Sequence, residues 1–167
     1  MAETEANKGN LEITIEESAK ELLNISGNCA QSSFAALQEH FHLDSKDILK
    51  ALTPFPGLAL RGEACGAVVG SLMALGLVFG RDELNNQRGY LVSLSSARKF
   101  CTEFENHFGS TSCGRILQNE MGKSYNLSDP KESKEYLFDG GKDVCGEVVA
   151  QAVKYASQLI EKKIKSV

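Results

Sequence analysis

Arg61-Gly62-Glu63-Ala64-Cys65-Gly66-Ala67-Val68-Val69-Gly70-Ser71-Leu72-Met73-Ala74-Leu75-Gly76-Leu77-Val78-Phe79-Gly80 is the stretch on which the fold turns. From about Glu63 to Phe79 it reads as a helix that is apolar nearly all round and rich in small residues, so it belongs at the centre of the molecule with neighbours close by. The apolar run from Ala64 to Phe79 is interrupted by Gly66, Gly70, Ser71 and Gly76 and falls short of the roughly 20 residues a bilayer span needs. Gly66-x-x-x-Gly70 repeats small residues at the spacing of a close helix–helix contact. Gly80 ends the segment.

Working outward, the flanks are helical as well. Thr14 and Glu17 form a capping-box pattern ahead of Ile15, Ala19, Leu22 and Leu23, with Gly27 as the stop. Asn28 caps a second helix whose Ala30, Phe34, Leu37 and Phe41 share one face. Asp44 or Ser45 starts a short third helix with Ile48, Leu49 and Leu52 inward, closed by Thr53-Pro54-Phe55-Pro56-Gly57. Beyond the central helix, Arg81 to Tyr90 reads as a polar loop, followed by a helix with Ala97, Cys101, Phe104 and Phe108 on one face. A short helix carrying Ile116 and Leu117 follows Ser110-Thr111-Ser112 and breaks at Met121-Gly122. Ser128-Asp129-Pro130 is a further helix start. The last helix begins near Gly141, buries Cys145, Val148, Val149, Ala152, Ala156, Leu159 and Ile160, and ends in lysines that suit its dipole. No alternating strand pattern or internal repeat is present. The class is all-α, a compact bundle of about six to seven helices around the buried central one. Residues 1–10 read as a flexible N-terminus and 11–167 as a single helical domain.

The 167 residues carry a net charge of −4 and no tryptophan, which argues against a nucleic-acid or anionic-membrane surface. The first ten residues are polar and acidic with no secretory signal, so the expected location is the cytoplasm. There thiols stay reduced, and an odd set of five cysteines reads as metal-binding, redox or packing thiols rather than a disulfide framework.

Four of the five fall at helix starts: Cys29 after its Asn28 cap, Cys65 in the first turn of the central helix, Cys113 after Ser112, and Cys145 about one turn into the last helix. Cys65-Gly66, Cys113-Gly114 and Cys145-Gly146 add three Cys-Gly dipeptides, and glycine just inside a helix costs roughly 1 kcal/mol against alanine. Close approach of backbone to another group would offset that cost, and helix N-termini would lower the thiol pKa. Cys101, mid-helix and before Phe104, reads as a small buried hydrophobe. Four gathered thiols permit a metal or iron–sulfur centre, or dithiol–disulfide exchange. The spacings of 36, 48 and 32 residues contain no Cys-x-x-Cys, so neither a ligand signature nor a thioredoxin-like module is read from them.

The Cys65-Gly66-Ala67-Val68-Val69-Gly70 block, with Asn28-Cys29-Ala30-Gln31 upstream and Phe108-Gly109-Ser110, Cys113-Gly114-Arg115 and Cys145 downstream, resembles the family of redox-active proteins named for the signature C_GCAxxG_C_C. The resemblance runs from about residue 12 to 162, selects the same four cysteines and omits Cys101. Where family members tend to be glycine-rich before the core block, this chain has Pro54-Phe55-Pro56-Gly57-Leu58-Ala59, so a stiffer, more enclosed loop is expected. The family also resembles part of the split-Soret type of cytochrome, where the shared region accompanies iron–sulfur binding. This chain has no Cys-x-x-Cys-His and so no c-type haem site.

The resemblance implies a redox role. The preferred expectation is an iron–sulfur cluster held by Cys29, Cys65, Cys113 and Cys145, in an electron carrier or oxidoreductase component that meets a redox partner protein. The alternatives are a metal-free thiol–disulfide protein or sensor and a zinc-stabilised interaction module. A homodimer is expected from the apolar central helix. His40, His42 and His107 read as helix-end residues and Glu63 as a dipole partner rather than a proton acceptor. Acyl-, phosphoryl- and hydride-transfer motifs are absent.

Overall fold

A computed structural model describes residues 13–43 and 45–166; the expected flexible residues 1–10 and the alternative cap Asp44 lie outside them. The described residues form nine helices: α1 (Ile15–Ser26), α2 (Cys29–Phe41), α3 (Lys46–Ala51), α4 (Gly57–Leu60), α5 (Gly66–Phe79), α6 (Gln87–Phe108), α7 (Cys113–Met121), α8 (Pro130–Phe138) and α9 (Gly141–Lys165). The all-α class holds; α8 begins where Ser128-Asp129-Pro130 placed a helix start, and the short α4 is the element the sequence did not announce.

Local capping chemistry sets several boundaries. Thr14 and Glu17 form the full capping box and Gly27 closes α1 in the left-handed region. Asp129 caps α8 with Pro130 behind it. Helix α6 begins earlier than expected, at Gln87, because the Asn86 side chain accepts from the Gly89 amide at 2.8 Å. Phe104 and Phe108 are buried as expected, but the third buried residue of the stripe is Phe100, and Ala97 and Cys101 stay half-buried.

Helix α5 packs against α2, α6 and α9, but the hub is α9, which touches α1, α2, α5, α6, α7 and α8. Only the first two-thirds of α5 is enclosed, and Met73, Gly76 and Leu77 face outward. The Gly66–Gly70 spacing does what a small-residue pair does. A Cβ on Gly70 would overlap the Ala30 carbonyl oxygen, and one on Gly66 would lie 2.5 Å from Cys29 Sγ, so α2 and α5 sit nearly backbone to backbone.

The proline-rich segment is an unexpected left-handed turn. Gly57, Leu58, Ala59 and Leu60 have φ of 54°, 49°, 57° and 62°, and the amides of Leu60 and Arg61 donate to the carbonyls of Pro56 (2.8 Å) and Gly57 (3.0 Å). Left-handed turns cost roughly 1–2 kcal/mol per non-glycine residue.

A candidate cysteine centre

Asn28 places Cys29 at the start of α2. Its Oδ1 accepts from the amides of Ala30 (3.1 Å) and Gln31 (3.0 Å), and its Nδ2 donates to the Thr53 carbonyl (3.0 Å), tying α2 to the turn after α3. Cys65 is the N-cap of α5, and Cys113 is the first residue of α7. These two are paired by a backbone bridge that nothing in the sequence pattern announced. Ala64 and Ser112 form an antiparallel bridge, with Cys65 N–H donating to Thr111 O (2.8 Å), Cys113 N–H to Glu63 O (2.6 Å) and Gly114 N–H to Gly62 O (2.9 Å). Gly114 allows that approach, since a Cβ there would lie 3.2 Å from the Gly62 carbonyl oxygen. Cys145 lies one turn into α9.

The Cys-Gly pattern therefore has its expected cause at Gly66 and Gly114. It does not at Gly146, where the nearest atom to a Cβ would be Lys20 Cγ at 3.9 Å.

Cys29, Cys113 and Cys145 line a cavity of about 240 Å³ together with Tyr136. Pro56, Gly57 and Leu60 of the left-handed turn wall one side, and Leu23, Leu127 and Leu137 supply apolar surface. Cys65 is buried beside it, close enough that charge on any of the other three sulfurs acts on its own. The fifth thiol, Cys101, is not among the lining residues.

Burial reverses the expected thiol chemistry. Desolvation, and then charge on Cys145 and Cys113, pushes Cys29 up to about 12. Burial followed by the neighbouring Cys145 pushes Cys113 up to about 11. Burial likewise raises Cys65 and Cys145. The expectation that helix starts lower these pKa values fails because loss of water outweighs the dipole. The dipole's contribution survives as opposition: the amides of Cys29 and Gly66 favour charge on Cys29, and that of Val68 favours it on Cys65.

Tyr136 is the residue the sequence reading missed. Its hydroxyl lies 3.0 Å from Cys145 Sγ and 2.7 Å from the Gly141 carbonyl. Glu63 is exposed and contributes only backbone groups, its N–H donating to Gly57 O (3.1 Å) and its carbonyl accepting from Cys113. His42 is the C-cap of α2, and His107 Nδ1 meets the Tyr155 hydroxyl at 2.9 Å; neither lines the cavity. Among the described residues no group of three or more His, Cys, Asp or Glu side chains is arranged to hold a metal ion. No helix among them is long and apolar enough to cross a membrane.

The family described as "Putative redox-active protein (C_GCAxxG_C_C)" matches residues 27–159. The chain belongs to this family. No curated protein and no solved structure matches it. The match spans the three cysteines that line the cavity and Cys65 beside it, and it supports a redox role.

Proposed function

We propose that this C_GCAxxG_C_C protein is a small electron carrier in which Cys29, Cys65, Cys113 and Cys145 hold an iron–sulfur cluster. The observation that carries the reading is that Cys29, Cys113 and Cys145, from three helices, line one cavity with Cys65 at the start of a fourth buried beside it, while Cys101 stays outside. A cluster spreads its irons, so its cysteines stand apart around it. The donor set fits a cluster: four thiols, backbone amides facing two of them, a tyrosine hydroxyl on a third, and leucines that supply apolar lining. When bound, the cluster supplies one-electron transfer.

The chain's own residues set the conditions for loading. Burial keeps the empty thiols protonated at neutral pH, so a metal must displace their protons to bind. The same burial works against metal-free thiol–disulfide exchange, whose nucleophile is the thiolate.

Anaerobic reconstitution with ferrous iron and sulfide tests this. Iron, acid-labile sulfide and visible absorption are expected in the parent and in Cys101→Ser, and are expected to fall in each of Cys29→Ser, Cys65→Ser, Cys113→Ser and Cys145→Ser. A reconstituted parent without iron or colour, or loss in Cys101→Ser alone, refutes the assignment.

A further inference from the structure

Among the described residues, Tyr136 is the one side chain that places a hydrogen-bond donor on any of the four sulfurs. It is held there firmly. A Cβ on Gly141 would overlap the Tyr136 ring at Cε2 and Cδ2, so the ring packs directly against the first residue of α9. Tyr125 meets it edge-on, with centroids 5.7 Å apart at 74°. Tyr125 is itself buried and donates to Asp139 Oδ2 at 2.8 Å, and Lys123 lies over its ring and pairs with Glu135 at 2.7 Å. These contacts fix α8, and with it the hydroxyl.

That hydroxyl has one proton and two acceptors in reach, the Gly141 carbonyl and Cys145 Sγ. A sulfur that carries negative charge is the stronger acceptor, because charge-assisted bonds are about twice as strong as neutral ones. The bond to sulfur therefore strengthens as the centre gains an electron, and donors to sulfur are one of the levers by which a protein sets a cluster's potential.

We infer that Tyr136 is a positioning residue that donates to the Cys145 sulfur and holds the reduction potential of the four-cysteine centre above the value it would have without that donor. The inference rests on the reading of the four cysteines as cluster ligands.

Two experiments separate its failure from the failure of that reading. In the metal-free protein, infrared spectroscopy of the S–H stretch reads the contact directly. The band lost in Cys145→Ser should move in Tyr136→Phe, and an unmoved band overturns the inference whether or not iron binds. In the reconstituted protein, redox titration should show a lower midpoint for Tyr136→Phe at unchanged iron content, with the reduced-to-oxidised ratio at a fixed potential falling about tenfold for the loss of one bond to a charged group. Replacing Tyr136 with 3-fluorotyrosine, a stronger donor, should raise the midpoint. Opposite shifts in the two variants are what a purely structural role does not produce. Equal midpoints in all three proteins, or shifts of the same sign, overturn the inference.

Discussion

Gly66→Ala is the substitution that most directly joins the fold to the cysteine centre. In a helix this change ordinarily stabilises by up to about 1 kcal/mol. Here the new methyl would lie 2.5 Å from Cys29 Sγ, 3.0 Å from the Ala30 amide nitrogen and 3.1 Å from Pro56 Cα. Nonbonded carbon contacts are comfortable at roughly 3.5–4.0 Å, so the methyl intrudes by about 1 Å, with backbone on two sides that cannot swing away. Overpacking of this kind costs roughly 1–3 kcal/mol, leaving a net loss of up to about 2 kcal/mol once the helix propensity is returned. For a chain of this size each kcal/mol moves the melting temperature by roughly 2–4 °C, so a fall of up to about 8 °C is expected. Gly76→Ala is the matched control: same helix, same chemistry, nothing within 4 Å. It should gain about 1 kcal/mol and melt roughly 2–4 °C higher. Urea denaturation followed by far-UV circular dichroism reads both, with midpoints compared at constant slope. A Gly66→Ala protein as stable as Gly76→Ala would refute the claim that α2 and α5 approach this closely only because position 66 has no side chain.

Other consequences are as open to measurement. Ala59→Gly should stabilise by about 0.5–1 kcal/mol, since relief of a left-handed alanine at φ 57° exceeds the entropy glycine adds to the unfolded chain; a lower melting temperature would count against strain in the Gly57–Leu60 turn. Gly141→Ala should destabilise despite alanine's helix preference, because the Tyr136 ring occupies the space, and it should shift the Cys145 S–H band as Tyr136→Phe does. The metal-free protein should lose stability above pH 9. The unfolded chain releases its thiol protons near the ordinary value of 9, whereas Cys113 and Cys29 hold theirs to about 11 and 12, so between these values the native state binds more protons and stability falls as pH rises. The loss amounts to several kcal/mol by pH 11, and a urea midpoint unchanged between pH 8 and 11 would contradict the burial of these thiols.

The resemblance and the helix-start pattern select the same four cysteines, of which three line one cavity and Cys65 lies buried beside it. What the sequence determined by itself was decided within a few residues. A Thr14 hydroxyl reaching the Glu17 amide, an Asn28 or Asp129 side chain capping the next turn, and a glycine ending a helix are short-range bonds whose partners are written next to each other. Features that depend on distant partners were left to the tertiary structure. The bridge that pairs Cys65 with Cys113 joins segments 50 residues apart and has no strand pattern to announce it. Tyr136 acquires its role only because α8 folds back along α9, and α9 becomes the hub because six other helices converge on it. The thiol chemistry was misjudged for the same reason. A helix start is visible in the chain as a local dipole, but the burial that outweighs it is made by side chains from elsewhere in the sequence, and it exists only once they are packed.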